Sequence, residues 1–177
     1  MQRLDDVALG VAPPDDINIL VVAPTGGEPY GARFDEASGY FAVTQLSDSL
    51  MRLPGNLGVV PGTVGDNGDP LTALLHTTHA LAPGMIVAVR PVGVLYVGDE
   101  GGDEVTILAV PATRLTRRYE GIVNYADLPA PELRQIAHFF CHYRDLEERR
   151  SQRSAGWGDV NEARRTVMEA AARARSG

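Results

Sequence analysis

Asn67-Gly68-Asp69-Pro70-Leu71-Thr72-Ala73 is the stretch that decides the fold of this 177-residue chain, and Asp69 is its single acidic residue. Short runs rich in β-branched and apolar residues lie on both sides of it, at 17–22, 39–43, 85–89, 92–97 and 105–110. Turn-forming segments separate these runs, among them Pro54-Gly55-Asn56-Leu57-Gly58 and Arg90-Pro91. Short strands at this spacing predict a small β-barrel.

The pattern changes after Pro129 and Pro131. Apolar residues then recur at helical spacing, at 133, 136, 137 and 140. A second helix is predicted over 159–173, with Asp159 or Asn161 as its N-cap. A barrel followed by C-terminal helices is a mainly β, α+β fold. Since no linker divides the chain, residues 1–177 are predicted to form one domain.

Composition argues against several classes of protein. The hydrophobic fraction of 44% suits one buried core, but no apolar run approaches the roughly 20 residues that cross a bilayer. The formal net charge of −7 argues against nucleic acid as a partner. Cys141 is the single cysteine, so an internal disulfide is excluded and a cytoplasmic location is expected. All 16 Lys and Arg side chains are arginine.

The central stretch resembles the Asp-x-Asp-Pro-x-Asp run of the soluble, magnesium-dependent inorganic pyrophosphatases. Other landmarks follow the order of the bacterial members over nearly the whole chain, at 13–17, 37–39, 54–58, 90–95, 109–111 and 135–147. The resemblance implies a closed, OB-like barrel flanked by C-terminal helices. It also implies the family reaction, which is the Mg²⁺-dependent hydrolysis of diphosphate to two phosphates.

Under this resemblance, the acidic run carries the metal chemistry. Several divalent cations neutralise diphosphate and activate water, and these hard cations need carboxylate ligands. In the family, the outer acids of the run bind metal and the central acid orients a water molecule. This chain has Asn67 and Thr72 at the outer positions. Only the central carboxylate is kept, as Asp69, which becomes the residual catalytic candidate.

The other metal positions implied by the resemblance are also incomplete. Asp99 matches a family metal ligand, and Glu104 stands where the family has aspartate. Val22 and Arg33 occupy two further acidic positions, so one ligand is lost and one charge is inverted. These replacements predict a weakened site for Mg²⁺ or Mn²⁺. A solvated hairpin loop explains the acidic segment 99–104 equally well.

The groups expected to hold the substrate are depleted in the same way. Tyr143 remains, and Arg144 stands in place of a family lysine. Elsewhere the family side chain is missing: lysine is replaced by Gly31 and Thr106, arginine by Gln45, and tyrosine by Leu53 and Leu57. If these losses only reflected the use of arginine in place of lysine throughout the chain, arginine would stand at the lysine positions. Gly31 and Thr106 carry no charge, so anion-binding groups have been lost. Losing one such group costs on the order of 10² to 10³ in turnover, so catalysis is expected to be weak or absent.

Two functional hypotheses follow from these positions. One is an inactive or strongly impaired family member that serves as a binding or assembly subunit, with a phosphate or diphosphate-like ligand. The alternative is a divergent metal-dependent phosphohydrolase, or a residual pyrophosphatase, that uses Asp69, Asp99 and Glu104.

His138 and His142 lie one helical turn apart, and the resemblance places them in an intersubunit contact of a hexamer. A homo-oligomer is therefore expected, with a mixed oligomer containing an active relative as a further form, and neither nucleic acid nor membrane is an expected partner. With Cys141, the two histidines have the spacing of a zinc site, although an interface role is the favoured interpretation. An exposed basic face is expected for Arg149, Arg150 and Arg153.

Overall fold

The computed structural model describes residues 3–99, 102–147 and 153–177. The strands in these parts are β1 (Ile17–Ala23), β2 (Tyr30–Asp35), β3 (Tyr40–Leu46), β4 (Asn56–Val59), β5 (Thr72–Leu75), β6 (Ile86–Asp99), β7 (Gly102–Pro111) and β8 (Ser154–Gly158). The helices are α1 (Ala130–His142) and α2 (Val160–Ser176), with short 3-10 turns at Leu4–Asp6 and Tyr125–Asp127. No helix in the described ranges is long and apolar enough to cross a membrane.

The strands of the main sheet close into a barrel. The order of hydrogen-bonded neighbours is β1-β4-β5-β7-β6, and β6 pairs back with β1. β5 and β7 run parallel, whereas the other neighbours in this ring are antiparallel. Closure pairs the strand edges that would otherwise be free. The predicted small, OB-like barrel is confirmed, and β8 adds a further strand alongside β6.

The barrel interior is apolar because alternate residues of each strand point inward. Ile17, Ile19 and Val89 are fully buried there. α2 packs against this core through Val167 and Ala170, which are fully buried as well. Burying an aliphatic side chain of this size contributes about 1.5 to 3 kcal/mol, so α2 is a structural part of the barrel.

A second apolar cluster joins the barrel to α1. Ile136, Phe139 and Phe140 of the helix lie in it with Leu95 of β6 and Leu108 of β7. The helical spacing of these residues is the reason, since positions three and four apart share one face. This cluster fixes the end of α1, and therefore the residues that follow it, against one side of the barrel.

Arg90-Pro91 does not end a strand, contrary to the prediction. β6 runs through both residues, and its register with β7 shifts between Pro91 and Gly93. Proline has no N–H to donate to the ladder, so the irregularity is local and the strand resumes beyond it.

The segment 54–58 was predicted as a turn, but its second half is strand. Asn56 begins β4, and its side chain is fully buried. The Asn56 Oδ1 accepts hydrogen bonds from the Thr25 N–H at 3.0 Å and the Leu81 N–H at 2.9 Å. Its Nδ2 donates to the His79 carbonyl at 2.8 Å. The asparagine therefore ties loops together, as a buried and satisfied polar group.

The two predicted helices are confirmed. α1 begins at Ala130, directly after Pro129. α2 begins at Val160, where the Asp159 Oδ1 accepts a hydrogen bond from the Glu162 N–H at 2.9 Å. The Glu162 Oε2 accepts one from the Asp159 N–H at 3.2 Å. This reciprocal capping box identifies Asp159, not Asn161, as the N-cap.

Candidate functional site

A cleft of about 650 Å³ brings most of the implied site positions together. The positions that line it are Val22, Gly31, Leu53, Leu57, Asn67, Thr72, Glu104, Thr106, Tyr143 and Arg144. Arg33, Gln45 and Asp69 lie beside the cleft and contact residues that belong to it or to one another. The side chain of Asp99 lies outside the described part of the structure, although its backbone pairs with Gly102 in the β6–β7 hairpin.

The loop that carries Asn67 and Asp69 is held by its own hydrogen bonds. The Gly65 N–H donates to the Asp69 carbonyl at 2.7 Å, and the Gly68 N–H donates to the Gly65 carbonyl at 3.1 Å. The Asn67 Oδ1 accepts from the Asp69 N–H at 3.0 Å. Gly68 has φ +84°, a conformation that favours glycine. The Asn67 side chain oxygen thus serves the turn itself.

Asp69, the surviving carboxylate of the acidic run, is paired with an arginine. The Arg33 Nη2 donates to the Asp69 Oδ1 at 3.0 Å. Both side chains are well exposed, at 73% for Arg33 and 51% for Asp69. Arg33 stands where the resemblance implies an acid. The inverted charge therefore lies directly against the residual catalytic candidate.

Glu104, the candidate metal ligand whose side chain is described, is paired with two arginines. Its Oε1 accepts a hydrogen bond from the Arg144 Nη1 at 2.6 Å. Its Oε2 lies 2.9 Å from the Arg153 Nη2. Both carboxylate oxygens thus have a guanidinium partner, which is strong and charge-assisted pairing.

Arg153 is buried rather than part of an exposed face, contrary to the prediction. Its side chain is only 8% exposed, and its Nη1 also donates to the Phe140 carbonyl at 3.3 Å. Residues 149 and 150, which shared that prediction, lie outside the described ranges. Nothing in the local sequence separates Arg153 from its arginine neighbours, because its burial depends on where β8 meets α1.

Replaced positions occur as neighbours in the sheets. Thr72 of β5 lies opposite Thr106 of β7 in the parallel register, and the resemblance implies an aspartate and a lysine at these positions. Gly31 of β2 lies opposite Gln45 of β3, and the resemblance implies a lysine and an arginine there. A Cβ at Gly31 would lie 2.9 Å from the Thr44 Oγ1, so a side chain there requires movement of its neighbours.

Tyr143 and Arg144 lie together at the end of α1. The Tyr143 ring stacks on Phe139 with centroids 5.1 Å apart, and the Arg144 guanidinium lies 5.1 Å from the centre of the Tyr143 ring. Burial raises the pKa of the Tyr143 phenol, and the nearby Glu104 carboxylate raises it further. The phenol is therefore a neutral hydrogen-bond donor at neutral pH.

The described donor set does not fit a cluster of divalent cations. Such ions take several carboxylate oxygens. No group of three or more His, Cys, Asp or Glu side chains that could hold a metal ion exists among the described residues. Asp69 and Glu104 are also engaged by arginines. The same finding applies to His138, Cys141 and His142, which do not form such a group in the described part of α1.

The C-terminal helix contributes a residue that sequence reasoning did not identify. The Arg173 Nε donates to the Val64 carbonyl at 2.8 Å, and its Nη1 lies 3.4 Å from the Asp66 Oδ1. The Val64 N–H donates to the Ala170 carbonyl at 3.0 Å. These contacts attach α2 to the loop that carries Asn67 and Asp69. They link residues far apart in the chain and leave no local signal.

His138 and His142 are exposed on α1, with ring centroids 4.5 Å apart. The His142 Nδ1 lies 2.8 Å from the Asp145 Oδ2. Both histidines line a shallow depression together with Leu50 and Leu146, which are strongly exposed. Burial raises the pKa of the neighbouring Cys141 thiol, which disfavours the thiolate form.

Comparison with known proteins gives a consistent result. The family model described as inorganic pyrophosphatase matches residues 20–175. The inorganic pyrophosphatase of Agrobacterium fabrum is 45% identical over 168 residues, which is 95% of this chain and 95% of that protein. The inorganic pyrophosphatase of Brucella melitensis is 42% identical over 173 residues, which is 98% of each chain.

Solved structures share the whole architecture. A structure described as an inorganic phosphatase from Anaplasma phagocytophilum has a TM-score of 0.87 and 34% identity, and covers 96% of this chain and 99% of its own. The inorganic pyrophosphatase of Thermus thermophilus has a TM-score of 0.88 and 28% identity, and covers 98% of this chain and 99% of its own.

Proposed function

Because this chain belongs to the inorganic pyrophosphatase family, we propose that it keeps the family scaffold while hydrolysing diphosphate weakly or not at all. Its role is then that of a binding or assembly subunit, with a phosphate or diphosphate-like ligand. The proposal includes a cytoplasmic location, as expected from the composition.

The observation that carries the proposal is the pairing of both described residual acids with arginines. Asp69 meets Arg33, and Glu104 meets Arg144 and Arg153. A carboxylate engaged by guanidinium groups is a poor ligand for a cation, since the positive charges repel the ion. Arg144, the group that would hold substrate, is occupied by the same contact. When no ligand is bound, Glu104 and Arg144 therefore engage each other instead of a cation and a substrate.

Replacement of neighbouring positions supports the same proposal. Opposite charges implied at 72 and 106 have both become threonine, and these residues are partners in the sheet. Removing one charge alone would leave the other unpaired in a partly buried site, at a cost of about 1 to 3 kcal/mol. Joint replacement by hydroxyl residues avoids that cost. This pattern fits a chain that maintains stability without maintaining catalysis.

The experiment is phosphate release from diphosphate by the purified protein, with Mg²⁺ and with Mn²⁺. An Asp69→Ala variant prepared identically reveals contamination by a host enzyme. Equal and negligible rates for the two proteins are expected. A rate for the natural sequence well above that of the variant would mean that Asp69 supports catalysis, and the proposal of inactivity would be wrong.

The geometry does not favour the divergent hydrolase. That function uses Asp69, Asp99 and Glu104 around a metal site. The Asp99 side chain lies outside the described residues, and the other two carboxylates are each bound to a different set of arginines. A panel of phosphate monoesters and diesters, tested with both metals, measures it directly. Hydrolysis of any of them above the Asp69→Ala background, measured as released phosphate for monoesters and as released alcohol for diesters, would favour the hydrolase.

We also propose a homo-oligomer, with the hexamer implied by the resemblance as its form. Exposed apolar residues next to His138 and His142 support it, since Leu50 is 90% exposed and Leu146 is 59% exposed in the single chain. Light scattering at micromolar concentration measures the mass, and a mass of one chain would contradict the proposal. Co-purification with a tagged active relative tests the mixed oligomer.

A further inference from the structure

The Glu104 carboxylate is held in the manner of a bound ligand. Arg144 reaches one of its oxygens at 2.6 Å, and Arg153 reaches the other at 2.9 Å. Two guanidinium groups on one oxyanion are a common arrangement for binding phosphate or carboxylate. Arg144 and Arg153 therefore already have the spacing of an oxyanion site. Its present occupant comes from the same chain.

The side chains of Arg144 and Arg153 differ in exposure to solvent, and therefore in how easily they can move. Arg153 is 92% buried by side chain, being only 8% exposed, and the carbonyl of Phe140 on α1 holds its Nη1. Arg144 is 44% exposed and Glu104 is 38% exposed, so both can turn toward solvent. One cation is therefore fixed in the wall of the cleft, while the carboxylate in front of it can be displaced.

The surroundings suit a small anion without a metal ion. The neutral Tyr143 phenol lines the same cleft beside Arg144 and can donate a hydrogen bond. Glu147 lies 3.8 Å from the Arg144 Nε, and Gln45 donates to the Glu147 carboxylate at 3.2 Å. The Glu147 carboxylate adds to that of Glu104 in reducing the positive potential, so an entering anion competes with Glu104 and binds the natural protein weakly.

We propose that Arg144 and Arg153 form a metal-independent site for a phosphate-type oxyanion, and that Glu104 is a built-in competitor which occupies this site when no ligand is bound. The inference rests on the binding role proposed above and names its ligand class. It differs from the family chemistry implied by the resemblance, because Glu104 acts as an internal anion and not as a metal ligand.

The test is a calorimetric titration of the natural protein and a Glu104→Gln variant with inorganic phosphate, at constant ionic strength and with EDTA present. Removal of the competing charge is expected to tighten binding about tenfold, which corresponds to about 1.4 kcal/mol. Asp66→Asn is the matched control, because Asp66 also lines this cleft and pairs with a different arginine, Arg173. We expect it to tighten binding less than about twofold, since exposed charges are screened.

A second variant separates the site from a general change of charge. Adding Arg144→Gln to Glu104→Gln is expected to remove the gain, with circular dichroism to verify that the fold is kept. Equal affinity of the natural protein and Glu104→Gln would overturn the inference. So would an equal gain in Asp66→Asn, a gain that survives Arg144→Gln, or acetate binding more tightly than phosphate.

The phosphate titration does not depend on whether the protein hydrolyses diphosphate. Phosphate release from diphosphate above the Asp69→Ala background would overturn the proposed inactivity while leaving the titration unaffected. Failure of Glu104→Gln to gain affinity, combined with negligible turnover, would overturn the oxyanion site and leave the inactivity in place.

Discussion

Two of the arginine–carboxylate contacts at the candidate site, Arg33–Asp69 and Arg153–Glu104, differ in their access to water. Arg33 and Asp69 meet at the surface, whereas Arg153 meets Glu104 from inside the cleft wall. Water screens the first contact and leaves the second much stronger. Loss of the Arg153–Glu104 contact is therefore expected to cost more free energy of unfolding than loss of the Arg33–Asp69 contact.

Replacement of Arg33 by alanine is expected to change the free energy of unfolding by less than about 0.5 kcal/mol, since exposed ion pairs contribute little. Urea denaturation at low and at moderate salt measures it. A loss above about 2 kcal/mol would show that Arg33 has a structural role beyond this pair.

Replacement of Arg153 by alanine is expected to lower the free energy of unfolding by about 2 kcal/mol, because Glu104 loses its buried partner and a packed side chain is removed. Arg144→Ala is the matched control on the same carboxylate, with an expected loss of about 0.5 kcal/mol for a half-exposed pair. Chemical denaturation compares the two variants. Equal losses would contradict the assigned difference in burial.

At the scale of elements, α2 connects the core to the site. Its buried face packs against the barrel, its last turns hold Val64 through Arg173 and Ala170, and its first turn is capped by Asp159. Anything that loosens the start of this helix therefore weakens a part of the core.

Asp159→Ala is expected to lower the free energy of unfolding by about 1 kcal/mol, because the Glu162 N–H loses its acceptor. Asn161→Ala is a close control, since Asn161 is exposed and lies inside the first turn. We expect almost no change for it. Thermal unfolding followed by circular dichroism distinguishes the two, and equal shifts would contradict the capping assignment.

The contact between β5 and α1 gives a pH dependence. His76 follows β5, and its Nε2 lies 3.2 Å from the Glu132 Oε2 in the first turn of α1. Burial lowers the pKa of His76 below its ordinary value of 6.5, and the attraction of Glu132 opposes this shift only in part. The folded chain then binds a proton less readily than the unfolded chain. This contribution to stability is present above pH 6.5 and is lost as the pH falls toward the folded pKa.

We expect the melting temperature of the natural protein to fall between about pH 7.5 and pH 5.5. His76→Gln should reduce this fall, whereas His79→Gln, at an exposed position in the neighbouring loop, should show the natural behaviour. Melting curves at both values of pH provide the measurement. An unchanged fall in His76→Gln would exclude His76 as its source.

At the scale of the whole molecule, the proposed oligomer depends on the exposed apolar residues near α1. Leu50→Glu is expected to reduce the oligomer mass seen by light scattering without changing the circular dichroism spectrum, since Leu50 is exposed in the single chain. Leu115→Glu is the control, because Leu115 is also exposed but does not line the depression with His138 and His142. Loss of mass in both variants would indicate nonspecific dissociation.

The barrel and both helices could be predicted because their signals are local. Strands 17–22 and 105–110 show β-branched runs, and the helix after Pro129 repeats its apolar residues at helical spacing. The strands at 30–35, 72–75 and 154–158 were not predicted. The last of them, Ser154-Ala155-Gly156-Trp157-Gly158, has low β propensity. Its pairing with β6 depends on tertiary context.

The sequence by itself determined the family resemblance, the order of the main elements and the identities of the residues at the implied site positions. Only the tertiary structure decided which partners the remaining charged side chains contact. Arg33 and Asp69 are 36 residues apart, Arg144 and Glu104 are 40 apart, and Arg173 and Val64 are 109 apart. Periodicity and turn chemistry act over a few neighbouring residues, whereas the energy of an ion pair depends on distance and access to water. The distance between two charges and their access to water are set only when the folded chain brings distant residues together.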